Sequence, residues 1–190
     1  MPRVNNHKFY IAAQQTYGQT PRGVHWLTQE NQNLRFDAIL SLLPHNLDAY
    51  SLADAGCGFG DFYTYLDAKP KSYVGIEIVP ESQEIAKKNT SCNIILADIT
   101  KMALPVKDYY VCSGALNILT PFETHQFIAN CYKASKKGFI FNALHGKKES
   151  TTYNYLSKET LSRIAKILQV NDVVYKQGYL PNDITVGFLK

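Results

Sequence analysis

Apolar and polar positions follow two rhythms along most of this chain. Short apolar runs suited to buried parallel strands occupy 50–55, 72–78, 92–97, 109–113 and 138–144. Stretches with helical spacing lie around and between them. Thr28 can cap a helix from 29 to about 43, on which Leu34, Ala38, Ile39, Leu42 and Leu43 fall mostly on one face, with Pro44 as its stop. A second helix is predicted over 61–67, where Phe62 and Leu66 stand four apart, and a third from Pro80 to about 88; Pro70 and Asn89 close these segments. Thr120-Pro121-Phe122-Glu123 forms a capping box with proline at the first helical position and opens a helix to about 135. Ser157 caps another, whose Leu161, Ile164, Ala165 and Leu168 recur at the spacing of one buried face.

Both ends depart from this alternation. Residues 1–27 hold many aromatics and glutamines with weak periodicity, so irregular structure with room for a short helix is expected. Residues 145–156 read as a polar loop. Beyond it, 172–176 and 184–189 are strand-like around Gly178 and Pro181-Asn182-Asp183, which predicts a closing antiparallel pair. The pattern therefore specifies an α/β fold: a doubly wound, mostly parallel seven-stranded sheet with helices on both faces and an antiparallel C-terminal strand. Residues 1–190 are expected to form one domain, with 1–45 as an N-terminal cover and helix and 46–190 as the core.

Ligands of such sheets bind outside the carboxyl ends of the strands, where the strand order reverses. The polar residues that interrupt the apolar pattern fall there. Asp54 and the glycines of Gly56-Cys57-Gly58-Phe59-Gly60 follow the first strand, Glu77 ends the second, Asp98 ends the third, and Ser113-Gly114-Ala115-Leu116-Asn117 follows the fourth. Three alternating glycines let backbone approach a ligand closely, and the helix start at Asp61 offers unpaired N–H groups. A dinucleotide fingerprint would need its third glycine at position 61, where Asp61 stands; Gly60 comes one place early.

Composition narrows the reading further. With 45% hydrophobic and 19% charged residues the chain is that of a globular protein, and no apolar run approaches the roughly 18 residues of a membrane span. A soluble, cytoplasmic protein without membrane contact is expected, its start lacking the apolar core of a signal peptide. Cys57, Cys92, Cys112 and Cys131 show no Cys-x-x-Cys spacing, and the five histidines are scattered, so reduced thiols and no metal are expected. A net charge of +4 with lysines only in short pairs permits a nucleic-acid partner without arguing for one.

The arrangement Asp-x-Gly-x-Gly-x-Gly, followed by acids at the next two strand ends, resembles the class I, Rossmann-like methyltransferases that use S-adenosyl-L-methionine and release S-adenosyl-L-homocysteine. The resemblance covers about 51–190. It implies that Gly56, Cys57 and Gly58 lie against the methionine part of the cofactor, that Glu77 takes the ribose hydroxyls, and that Asp98 takes the adenine amino group. Ile78 and Ile99 join this cofactor-binding set beside the two acids. Asp54 is expected to orient the glycine loop or to meet the cofactor's amino group. Ser113 takes the place where the family's fourth motif borders cofactor and substrate, with Asn117 on the substrate side. That segment departs from the Asn/Asp-Pro-Pro-Tyr/Phe form of methyltransferases acting on nucleobase amino groups. The stretch Tyr17-Gly18 to Trp26 looks like the N-terminal cover of some small methyltransferases, so Trp26 and Arg22 are expected near the cofactor and Tyr17 near the substrate. Arg35 reads as a helix-face salt-bridge residue.

Methyl transfer from a sulfonium is an in-line displacement that needs position and desolvation, and a base only for an acceptor protonated at neutral pH. No catalytic base is assigned. A small-molecule acceptor is expected, with RNA or protein as the alternative, for which Lys147, Lys148 and Tyr155 offer a surface. Two rival readings are a cofactor-binding module without turnover and a nicotinamide-dependent oxidoreductase, the latter disfavoured by the glycine spacing.

Overall fold

The apolar runs pair as one sheet in a computed structural model of the protein, which describes residues 4–190; the first three residues of the expected cover lie outside the described residues. β1 (Ser51–Ala55) pairs in parallel with β2 (Ser72–Glu77), and β2 with β3 (Asn93–Leu96). The chain then crosses back, so that β4 (Lys107–Ser113) joins the other edge of β1 and β5 (Ser135–His145) follows it, again in parallel. β6 (Tyr155–Leu156) is a short parallel addition to the end of β5. β7 (Asp172–Lys176) and β8 (Asp183–Leu189) close the sheet antiparallel, with β8 inserted between β5 and β7. The order is β3-β2-β1-β4-β5-β8-β7, and the reversal lies between β1 and β4.

Alternating residues of the central strands feed two cores. Along β5, Phe139, Phe141 and Ala143 face one side, while Ile140 faces the other. The first core is closed by α5 (Pro121–Ala134) and α6 (Lys158–Ile167) through Phe127, Ile128, Leu161 and Ile164. The second is closed by α2 (Gln29–Leu40), α3 (Asp61–Tyr65) and α4 (Pro80–Thr90) through Phe36, Ile39, Phe62 and Ala86. The capping box is formed as the sequence predicts: the Thr120 hydroxyl accepts from the Glu123 N–H, and the Glu123 carboxylate accepts from the Thr120 N–H.

Several expectations are corrected. The sheet has eight strands among the described residues rather than seven, because Tyr155 and Leu156, inside the expected polar loop, pair with Leu144 and His145. Two residues are too few to show a strand period. Residues 6–17 form a regular helix, α1 (Asn6–Tyr17), capped by the Asn5 side chain and ended by Gly18 at φ 63°. Only Ala13 of α1 is fully buried, so it lacks the apolar stripe by which helices are read from sequence. A single 3₁₀ turn, Pro21–Val24, then leads to α2. Helix ends shift by a few residues: α2 stops at Leu40 and α3 at Tyr65, whereas α4 continues to Thr90 before Ser91 turns at φ 55°. β5 starts at Ser135, directly after α5. Among the described residues, no helix is long and apolar enough to cross a membrane.

Candidate ligand-binding crevice

At the carboxyl ends of β1, β2, β3 and β4 a crevice opens beneath α1 and the turn that follows it. Its floor is the glycine loop. The N–H groups of Gly56 and Cys57 both donate to the Ile76 carbonyl, at 2.8 and 3.1 Å, which pins the loop to the end of β2. Gly56 has φ 78°, and a Cβ there would collide with Ala115 beyond β4, so the loop approaches the neighbouring strand end as no other residue could. Cys57 places its sulfur over Gly75 of β2, whose missing side chain makes the room.

Glu77 joins the loop to the segment that follows β2. Its Oε2 accepts from the Gly58 N–H at 2.9 Å, and its Oε1 accepts from the N–H groups of Ile78 at 2.8 Å and Val79 at 2.9 Å. Burial raises its pKa, against the three N–H donors, which favour the carboxylate. Asp54, expected to hold the loop, instead accepts from the Tyr73 hydroxyl at 2.9 Å. Burial pushes Asp54 up to about 7; the Tyr73 bond opposes this, and the charges of Glu77 and Asp61 add to it. Asp61, at the start of α3, accepts from Gln32 of α2 at 2.9 Å and is also raised by burial.

Asp98 caps the turn after β3: its Oδ1 accepts from the Thr100 N–H at 3.0 Å and the Thr100 hydroxyl at 2.6 Å, and Oδ2 pairs with Lys101 at 2.9 Å. Partial burial works against ionisation there, but the bonds from Thr100 and Lys101 outweigh it and hold Asp98 below the usual carboxylate range. Ile78 stands at the rim and Ile99 is buried beside Asp98; both line the crevice. The Ser113 hydroxyl also lines it and is buried with no partner among the described residues, which is the condition of a group awaiting one. Asn117 turns its amide oxygen to the Leu144 N–H at 3.0 Å, and its carbonyl accepts from the Asn154 N–H at 2.7 Å, so it also ties the turn after β4 to β5.

Of the cover residues, Trp26 lines the crevice, and the cation on its ring is Arg35, 4.4 Å from the centroid. Arg22 and Tyr17 stand apart from the lining: both are exposed, with the Arg22 guanidinium 5.2 Å from the Tyr17 ring centre. Arg35 forms the salt bridge expected of it, but on the buried face of α2: it is bidentate to Asp183 of β8. Sequence reasoning missed Phe9 and Tyr10 of α1 and Tyr153, which roof the crevice. Burial, with the charge of Glu77 next, raises the Tyr10 phenol well above its usual range and keeps it a neutral donor. α1 is held over the site by Gln14, donating to Ser82 at 2.7 Å, and by His7, 3.1 Å from the Glu81 carboxylate. Four carboxylates line the crevice, and among the described residues no lysine or arginine joins them. It suits a ligand with positive groups and hydroxyls.

A methyltransferase-domain family model matches residues 52–138. A Mycobacterium tuberculosis protein named as a methyltransferase is 31% identical over 125 residues, which span 58% of this chain and 69% of the relative. Among solved structures, the magnesium protoporphyrin IX methyltransferase of Synechocystis PCC 6803, with S-adenosylhomocysteine bound, superposes with a TM-score of 0.73 at 12% identity, over 97% of this chain and 95% of that one. A Leishmania major S-adenosylmethionine-dependent methyltransferase gives 0.74 at 17% identity, over 97% and 82%. A Clostridium acetobutylicum S-adenosylmethionine-dependent methyltransferase gives 0.68 at 12% identity, over 96% and 97%.

Proposed function

The chain belongs to the class I, Rossmann-like methyltransferases, and we propose that it transfers the methyl group of S-adenosylmethionine to a small molecule. The crevice fits that cofactor in three respects. Gly56 and Gly58 put half-buried backbone without side chains beside the β1 end, Glu77 has further lone pairs beyond its three N–H bonds, and the buried Ser113 hydroxyl lacks a partner among the described residues. When bound, the cofactor supplies a sulfonium whose methyl carbon is open to displacement. In this reading Glu77 accepts from the ribose hydroxyls, Asp98 from the adenine amino group, and Asp54 with Asp61 stabilises the ammonium end of the methionine. Ile78 and Ile99 pack beside the adenosine part.

The preference for a small acceptor rests on one observation: the crevice is roofed by α1 and, among the described residues, lined without a single lysine or arginine. A polyanion such as RNA is held chiefly by cations on its phosphates, and these walls offer none. The chain's own contribution to rate is then to orient the acceptor, exclude water beneath Phe9, Tyr10 and Trp26, and leave the departing thioether in a desolvated site.

The experiment is a calorimetric titration with S-adenosylhomocysteine, followed by incubation with a labelled methyl donor and small-molecule and RNA fractions of cell extract. Binding, with label entering the small-molecule fraction, is expected. Absence of binding at millimolar concentration refutes the cofactor assignment, and label in RNA refutes the acceptor class.

A further inference from the structure

Trp26 is the only tryptophan of the chain. It follows the 3₁₀ turn of the cover and comes down on Gly114, at the end of β4. Gly114 has φ 88°, and a Cβ there would run into the six-membered part of the indole, so this glycine is required twice over. The Arg35 guanidinium carbon lies 4.4 Å from the ring centroid.

Arg35 makes three hydrogen bonds in this position. Its Nε and Nη2 donate to the two carboxylate oxygens of Asp183 at 2.9 and 2.6 Å, and its Nη1 donates to the Asn31 carbonyl at 3.2 Å. The side chains are 10% and 2% exposed. Behind the pair, Asn142 and Tyr179 converge on Thr185 of β8: the Asn142 amide donates to the Thr185 hydroxyl at 2.8 Å, and that hydroxyl lies 2.9 Å from the Tyr179 hydroxyl. A buried ion pair adds little net stability over apolar residues of similar volume. A planar guanidinium, however, can meet a carboxylate edge-on and an indole face-on at once, which a lysine cannot.

The cofactor candidates Glu77 and Asp98 lie at the ends of β2 and β3, on the far side of β1 from Trp26. Trp26 borders the β4 side of the crevice, with Asn117, and Ser113 stands between the two sides. We propose that Arg35 and Asp183 are positioning residues that hold Trp26 against Gly114 as the acceptor-side wall of the crevice. This rests on the methyltransferase reading above, since only then does the crevice have donor and acceptor halves.

The test reads Trp26 itself, by acrylamide quenching of its fluorescence in the full chain, beside calorimetric titration with S-adenosylhomocysteine. Arg35→Lys keeps a cation for Asp183 and removes the guanidinium from over the Trp26 ring. The double variant Arg35→Met with Asp183→Leu removes both charges and leaves no unpaired buried ion, which guards against loss of folding. In each folded variant the quenching constant should rise about twofold or more as the indole loses its cover, while S-adenosylhomocysteine affinity stays within about threefold of wild type, as for a residue without contact to that ligand. Unchanged quenching overturns the proposal, because a purely structural pair would lower the melting temperature without moving the indole. A parallel loss of about tenfold or more in affinity also overturns it, by placing the pair in cofactor holding. If wild type binds no S-adenosylhomocysteine, the methyltransferase reading and the acceptor-side assignment fall together, and the quenching result alone decides whether Arg35 and Asp183 hold Trp26.

Discussion

Glu77 Oε2 accepts the N–H of Gly58 at 2.9 Å, joining the end of β2 to the glycine loop across 19 positions of sequence. The same carboxylate takes the first N–H groups after its own strand, so one side chain fixes the loop, the strand end and the entry to α4. Glu77→Gln keeps the size but loses the charge that faces these three donors and, in the proposed reading, the ribose hydroxyls. A hydrogen bond to a charged group is worth roughly 1.5–3 kcal/mol, so S-adenosylhomocysteine affinity should fall by about tenfold or more. Calorimetry reads this directly, and wild-type affinity in the variant would remove Glu77 from the site.

Asp98 predicts a smaller effect of the same kind. Thr100 and Lys101 already occupy both of its oxygens. Asp98→Asn keeps an acceptor for Thr100 and gives up the Lys101 pair, which is more than half exposed on the lysine side and so of little worth. Affinity for S-adenosylhomocysteine should drop by about three- to tenfold, less than for Glu77→Gln. The order of the two losses in one calorimetric series checks the assignment.

Gly56 and Gly178 separate conformational strain from collision. Both have strongly positive φ, 78° and 86°, but a Cβ on Gly56 would meet Ala115, whereas Gly178 has nothing within 4 Å. Gly178→Ala should cost about 1–2 kcal/mol, the left-handed penalty alone. Gly56→Ala should cost about 1–3 kcal/mol more, from overpacking against Ala115. Urea denaturation of the two variants gives the difference, and equal losses would mean that Ala115 yields freely.

The strand ends were legible because each combines an apolar run with a polar residue at its carboxyl end, and Asp54, Glu77 and Asp98 do converge on one crevice. Local signals also sufficed for the Thr120 capping box, whose parts are three residues apart. What escaped reading is tertiary. Arg35 finds Asp183 at a separation of 148 residues; its place three and four positions before Ala38 and Ile39 puts it on the buried face of α2, but no local pattern names a partner so far along the chain. Tyr10 lines the crevice from a helix without an apolar stripe, so neither its helix nor its direction could be taken from periodicity. The expected bond from the loop to Asp54 is absent among the described residues for a related reason: the Gly56 and Cys57 N–H groups go to the Ile76 carbonyl and that of Gly58 to Glu77, while the Tyr73 hydroxyl reaches Asp54 from the adjacent strand.

Thr120→Ala tests how far the capping box matters to the crevice, since α5 starts where the turn after β4 ends. The variant loses the hydroxyl that accepts from the Glu123 N–H and donates to the Glu123 carboxylate. Stability should fall by about 0.5–2 kcal/mol, as for other cap deletions. S-adenosylhomocysteine affinity should stay near wild type, because Thr120 is not among the crevice-lining residues; a denaturation curve and one titration settle both.

Asp54 sets the sign of the pH dependence. Its carboxyl is raised to about 7 by burial in the folded chain, against roughly 3.9 for an unfolded aspartate. Below about pH 4 both states hold the proton, and the group's stabilising share is fully present. As pH rises from about 4 to about 7, the unfolded chain releases its proton while the folded chain keeps it, so stability falls, by at most about 1.4 kcal/mol per pH unit for one group. Glu77 and Asp61, also raised by burial, act in the same direction. Asp108 and Asp98, held low by their partners, act oppositely, and only as pH drops through the low end of the range. Asp54→Asn keeps an acceptor for the Tyr73 hydroxyl and removes the titration. Urea denaturation at intervals from pH 5 to pH 8 should therefore show wild-type stability declining to about pH 7 and levelling beyond it, and the curve of the Asp54→Asn variant lying flatter; parallel curves would mean that Asp54 is ionised in the folded protein throughout.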